Sequence, residues 1–130
     1  MASIFTKIIN KEIPAYIVAE DDNYIAFLDV FPIKHGHTLV VPKKEVDYIF
    51  DLDTESYIGL MLFAQKVAEG VKKAVPCKKV GVAVIGLEVP HTHIHLVPMD
   101  TVGDMNFANP KLQLEKEVLE KISADIKAQL

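Results

Sequence analysis

His91-Thr92-His93-Ile94-His95-Leu96-Val97 sets three of the chain's five histidines at every second position and interleaves two of them with Ile94 and Leu96. An extended chain sends successive side chains to opposite faces, so His91, His93 and His95 share one face while Ile94 and Leu96 point into a core. The stretch reads as a strand over residues 93–98. The same period of two marks four more strands. Residues 16–19 and 24–29 flank the acidic turn Glu20-Asp21-Asp22-Asn23 and form a hairpin. Residues 38–42 are a β-branched strand entered through the loop Phe31-Pro32-Ile33-Lys34-His35-Gly36-His37. Residues 79–85 form the remaining one, separated from the histidine strand by Gly86-Leu87-Glu88-Val89-Pro90.

Elsewhere the period changes. Ile58, Met61, Leu62, Val67, Ala68 and Val71 recur at helical spacing, from a cap at Asp53 or Thr54 to Lys72 and Lys73 at the negative end, and Pro76 stops the run. A last helix is expected over residues 109–130, with Asn109 as cap and Pro110 in its first turn. Its ridge would be Leu114, Val118, Ile122, Ile126 and Leu130, with Leu119 beside it. At the other end Ile4, Phe5, Ile8 and Ile9 make a short apolar lead-in, and Pro14 breaks any helix there. Helices set apart from short antiparallel links favour an α+β fold over a doubly wound parallel sheet: a five-stranded antiparallel sheet with one long central helix and a C-terminal helix. No repeat or linker divides the 130 residues, which suits one domain over 1–130 burying roughly two-thirds of its unfolded surface.

Composition narrows the function. All fourteen Lys and Arg are lysine, against eighteen Asp and Glu, for a net charge of −4. That balance counts against duplex nucleic acid as the partner, and no arginine fork is available for an anion. A phosphate must be held by other donors. The single cysteine, Cys77, excludes a disulfide framework and a four-cysteine zinc site and fits a reducing cytosol. No signal-peptide core and no uninterrupted apolar run of about 18 residues is present, so a cytoplasmic protein without a membrane partner is expected.

Histidines clustered in two windows, 35–37 and 91–95, point to metal binding or to imidazole chemistry. On a straight strand His91 and His95 stand roughly 13 Å apart, so one ion bound at about 2.1 Å cannot take all three. Alternatively His93 is a nucleophile or base whose neighbours set its tautomer, chemistry suited to phosphoryl or nucleotidyl transfer. His95, or His37 approaching across strands, would then donate to phosphate oxygens. The plainest reading is a polar strand face whose rings are all satisfied by backbone or water.

The run from His91 to Val97 resembles the motif of the histidine triad (HIT) family, His-φ-His-φ-His-φ-φ with φ apolar, although Thr92 is polar. It is accompanied by Ile4-Phe5-Thr6-Lys7-Ile8-Ile9, Glu12-Ile13-Pro14-Ala15, Ala26-Phe27-Leu28-Asp29-Val30 and Gly36-His37-Thr38-Leu39-Val40-Val41-Pro42-Lys43. In order and spacing these are similar to the nucleoside-phosphoramidate hydrolase branch over roughly residues 3–98. The resemblance implies a homodimer that joins two five-stranded sheets and binds a purine nucleotide, without a cofactor. It implies that His93 attacks the α-phosphate, that His91 orients it, and that His95 and His37 contact phosphate or assist the leaving group. Asp29 would accept the ribose hydroxyls, Phe5, Ile8, Phe27 and Val30 would line the base pocket, and Gly86 would let backbone approach the phosphate. Relatives often carry a structural zinc on a Cys-x-x-Cys and a histidine; Ser3, Thr6 and Glu45 stand at those positions, which implies no zinc there. Ile85 and Leu87-Glu88 replace an amide and a Gln-Ser pair before the triad. An enzyme acting at an α-phosphate, a nucleotide-binding module without turnover, and a histidine metal protein are the competing expectations.

Overall fold

Five antiparallel strands form one sheet in the order β1-β2-β3-β5-β4 in the structure, a computed structural model that describes residues 2–130 and leaves Met1 outside the described residues. The strands are β1 (Ile17–Glu20), β2 (Tyr24–Leu28), β3 (Thr38–Pro42), β4 (Lys79–Ala83) and β5 (Ile94–Met99). Three helices accompany them: α1 (Ile4–Ile9), α2 (Thr54–Ala74) and α3 (Lys116–Ala128). The α+β architecture with a long central and a C-terminal helix is the one expected. Among the described residues no helix is long and apolar enough to cross a membrane.

Alternation along the central strands builds two layers. Ala26, Leu28, Val40, Ile94 and Leu96 face α2 and α3, where they pack with Leu60, Ala64, Val67, Val71, Leu119 and Ile126. Ile25, Phe27, Leu39 and Val41 face the other way and pack with Phe5 and Ile8 of α1 in a smaller core. Fully burying such side chains is worth about 1.5–3 kcal/mol each, so the large layer holds the fold and the small one fixes α1. His95 pairs across from Leu39 and alternates with Ile94 and Leu96, which puts its ring on the α1 side.

Several boundaries differ from the sequence reading, each for a local reason. The lead-in is a helix because Ser3 caps it, its side chain accepting from Thr6 N–H, before Pro14 is reached. Strand β5 begins at Ile94 because Thr92 is claimed elsewhere: its N–H and its hydroxyl both donate to Val46 O at 2.7 Å. The bend this imposes leaves residues 84–85 without a ladder partner, so β4 ends at Ala83, opposite His95. In α2 the apolar residues run around much of the circumference, and the buried line is Leu60, Ala64, Val67, Gly70 and Val71, while Ile58, Met61 and Leu62 are exposed.

The C-terminal helix starts six residues later than the expected Pro110. The Asn109 side chain donates back to Gly103 O at 2.8 Å in place of capping forward, and Leu112 N–H donates to Pro32 O at 2.8 Å. Residues 106–114 are thereby held as a strap across the loop before β3. The buried side of α3 is Leu119 and Ile126 with Ile122 half-buried, whereas Val118 and Leu130 are largely exposed. Past the end of α3 the Leu130 side chain rests on α2 at Gly70, where a Cβ would fall 2.5 Å from Leu130 Cδ2.

Candidate active site

His91 sits in the bend before β5, fully buried, with both ring nitrogens engaged. Its Nε2 lies 2.8 Å from Pro42 O and its Nδ1 2.7 Å from Ser3 Oγ. A carbonyl only accepts, so Nε2 carries the proton and Nδ1 accepts from the serine hydroxyl. Burial lowers the basicity of this ring, and it is neutral.

Two residues on, His93 Nδ1 lies 2.7 Å from the main-chain oxygen of His91. Again the acceptor is a carbonyl, so the proton is on Nδ1 and the lone pair on Nε2. Phe5 meets the His93 ring edge-on at 4.9 Å and the His91 ring at 5.8 Å. The short helix α1 thus walls both rings.

His37 and His95 reverse the pattern. Ile33 N–H donates to His37 Nδ1 at 3.2 Å, so the His37 proton is on Nε2, which lies 2.9 Å from His95 Nδ1. His95 Nδ1 accepts, and its own proton is on Nε2. Desolvation holds His37 down at about 3, with His95 and Lys111 adding to it, and holds His95 at about 4 with help from His93 and Lys111. Both rings are neutral near pH 7. Among the described residues no buried side-chain nitrogen or oxygen lacks a partner. Neither His93 Nε2 nor His95 Nε2 has one, so both atoms reach solvent. Their rings stand 4.9 Å apart, one offering a lone pair and the other an N–H.

Asp29 follows β2 at the same end of the sheet. Its Oδ1 accepts from Phe31 N–H at 2.9 Å, its Oδ2 lies 3.8 Å from His37 Nε2, and desolvation raises its pKa. Asp29, His37 and His95 offer ligand atoms within 4.8 Å of one another. The donor set still fits a hydrogen-bonded pair better than a metal. Ligation through His37 Nε2 would move its proton to Nδ1, where it would face the Ile33 N–H donor.

Of the expected base-pocket residues, Phe5, Ile8 and Phe27 are buried in the small core and Val30 is 42 % exposed at the surface. Gly86 adopts φ +70, which a side chain resists, while space beside it is open, so its backbone conformation and not a close neighbour calls for glycine. Glu88 is exposed, and its charge reaches Asp29, where it adds a small upward push on the pKa. His35 lies apart from the other four, beside Val75, Pro76 and Cys77.

The positions implied for a structural zinc hold Ser3, Thr6 and Glu45 beside His91. These residues do not fit the metal: two are hydroxyls, and all four side chains already satisfy one another by hydrogen bonds.

Two residues at the site escaped the sequence reading. Phe107 stands edge-on to His95 at 4.8 Å and to His37 at 6.0 Å, and Lys111 Nζ lies 5.9 Å above the Phe107 ring. Both belong to the strap over residues 106–114, where the sequence reading expected the last helix to begin at residue 109 and so placed Lys111 inside it. The signal was present in Lys111-Leu112-Gln113-Leu114, whose polar and apolar residues alternate with the period of an extended chain.

Comparison with known proteins agrees with this geometry. The HIT domain family model matches residues 10–102. An uncharacterized HIT-like protein of Borreliella burgdorferi is 35 % identical over 95 % of this chain and 94 % of its own length. An adenosine 5′-monophosphoramidase of Saccharomyces cerevisiae is 30 % identical over 99 % of this chain and 83 % of its own. Among solved structures, a HIT-like protein of Bartonella henselae superposes with a TM-score of 0.85 at 35 % identity, covering 98 % of this chain and 96 % of that one. A family model that spans all five strands, the triad at the head of β5 and relatives covered over most of their length all lead to one assignment: the chain belongs to the HIT family.

Proposed function

We propose that this protein is a nucleotide hydrolase or transferase that works at the α-phosphate of a purine nucleotide conjugate, a phosphoramidate or a dinucleoside polyphosphate. The observation that carries the reading is the pair of opposed tautomers at His93 and His95. His93 Nε2 attacks phosphorus, a P–N bond forms, and the bond to the leaving group breaks as that group takes a proton from solvent water, which the later hydrolysis returns. His95 Nε2–H donates to a phosphate oxygen on which charge develops, and Lys111 adds positive charge on the same side. Water then cleaves the nucleotidyl-histidine and restores the ring. Asp29 accepts the ribose hydroxyls, and Phe5, Ile8, Phe27 and Val30 flank the base. The likeness to the yeast adenosine 5′-monophosphoramidase supports the same chemistry.

The test is turnover of adenosine phosphoramidate together with trapping of labelled enzyme by denaturant at alkaline pH, where a P–N bond survives. Release of the nucleoside monophosphate with a covalent, acid-labile adduct is expected in the wild type. His93→Ala should lose both, with kcat down by about a thousandfold or more. Tight binding of the monophosphate with equally slow wild type and variant would instead make the protein a binding module.

The active form in this reading is a homodimer. Strand β4 is a sheet edge, and a groove between it and α2 is lined by Met61, Ala64, Ala68, Val80 and Val82. Exposed Val82, Met61, Ile58 and Leu62 extend the apolar surface, more than an isolated strand edge normally leaves to water. Light scattering should give twice the chain mass, and Val82→Lys should halve it. A wild type that is monomeric at tens of micromolar would refute the dimer.

A further inference from the structure

We propose that Ser3, Thr6 and Glu45 form a hydrogen-bonded latch that positions His93 by fixing the ring and main chain of His91. The inference rests on the reading of His93 as nucleophile, and goes beyond it by assigning positioning roles to three residues that touch no substrate.

The latch joins the start of α1 to the segment after β3. Glu45, in the segment after β3, takes two donors on one oxygen: Ser3 N–H at 2.7 Å and the Thr6 hydroxyl at 2.6 Å. Ser3 Oγ accepts from Thr6 N–H at 3.0 Å, as the cap of α1, and donates to His91 Nδ1 at 2.7 Å. His91 donates its one ring proton, on Nε2, to Pro42 O at 2.8 Å, so its ring is held from two sides in a single neutral tautomer. The main-chain oxygen of the same residue receives His93 Nδ1–H at 2.7 Å. Each link is directional, and each fixes the next: Glu45 orients Ser3 and Thr6, Ser3 orients His91, and the His91 carbonyl selects the His93 tautomer with Nε2 free.

The thiol and imidazole ligands that would let a metal tie α1 to His91 are replaced at these positions by hydroxyls and a carboxylate. Hydrogen bonds make the same connection here. Those two donors hold the Glu45 carboxyl at about 2, so it remains an anion and an acceptor across the working pH range. Phe5, between Ser3 and Thr6, moves with the latch and is the wall of the His93 ring.

The experiment follows the histidine ring nitrogens by 15N NMR alongside steady-state kinetics on adenosine phosphoramidate. In the wild type the His93 signals should report Nδ1 protonated and Nε2 bare. Ser3→Ala and Glu45→Ala should shift them towards a mixture of tautomers and lower kcat by about tenfold with KM within about twofold, the signature of lost orientation rather than lost binding. Thr6→Val, which keeps shape and removes one donor, should move both readouts in the same direction by less. Glu45→Gln, which keeps an oxygen to accept both donors, should recover most of kcat. His93 signals and kcat unmoved in Ser3→Ala and Thr6→Val would overturn the latch. A wild type inactive on every nucleotide would sink the functional reading alone, because the ring signals still judge the latch.

Discussion

The site contains two pairs of histidines that differ in one main-chain contact. In the pair His91 and His93 the selecting group is a carbonyl, the His91 oxygen, and it leaves His93 Nε2 with a lone pair. In the pair His37 and His95 the selecting group is an amide, Ile33 N–H, and its effect passes through His37 to leave His95 Nε2 with a proton. Four side chains of one type thus give one nitrogen with a free lone pair and one with a proton on neighbouring rings. The difference teaches that chemistry here is chosen by the backbone, through bend and loop, and not by the histidines themselves.

Burial suppresses the charge of His37 and His95, and this makes the largest effect testable on stability. His37 and His95 titrate in the folded protein at about 3 and about 4, against about 6.5 in an unfolded chain. Above pH 6.5 both states hold these rings neutral and nothing is lost. As the pH falls below 6.5 the unfolded chain takes up protons that the folded one refuses, and each ring removes about 1.4 kcal/mol per pH unit. By pH 4.5 the two together cost on the order of 5 kcal/mol, a large part of a typical domain's stability. His91 acts in the same direction, whereas Asp29, whose pKa is raised, opposes it only nearer the carboxylate range. Calorimetry should show a Tm flat between pH 8 and 7 and falling steeply below 6.5, with a shallower fall in His37→Leu. A Tm that stays level down to pH 5 would mean these rings are not held neutral.

Much of this was legible in the chain, for a physical reason. The triad histidines and the core positions Ile94 and Leu96 are local features of one strand, and a period of two needs no tertiary information. What depended on distant partners was not legible. Nothing in His91-Thr92-His93 announces that Thr92 binds Val46 O, which turns the first two histidines out of the ladder and brings the His93 ring back onto the His91 carbonyl. Asn109-Pro110 has the local signature of a helix start, and only the bonds to Gly103 O and Pro32 O reveal a strap that delivers Phe107 and Lys111 to the site. In α2 so many residues are apolar that periodicity leaves the buried face undetermined; contact with the sheet chooses Leu60, Ala64 and Val67.

A smaller effect, on rate, separates the two pairs by function. If His95 is the donor and His93 the nucleophile, His95→Ala removes one hydrogen bond to a charging oxygen but no covalent step, so kcat should fall about a hundredfold, equivalent to about 2.7 kcal/mol. That is well short of the loss expected for His93→Ala. His37→Leu should cost less again, about tenfold, because it removes only the group that holds His95 in its donating tautomer and leaves the ring free to adopt it part of the time. The ordering of the three variants carries the argument more than any single value, since a ring that merely supports the fold would lower activity through the amount of folded enzyme and would not discriminate among leaving groups. His95→Ala should slow a poor leaving group more than a good one, because less charge needs stabilising when departure is easy. Equal losses for His93→Ala and His95→Ala with every leaving group would make the two nitrogens interchangeable, and the opposed tautomers would then have no catalytic meaning.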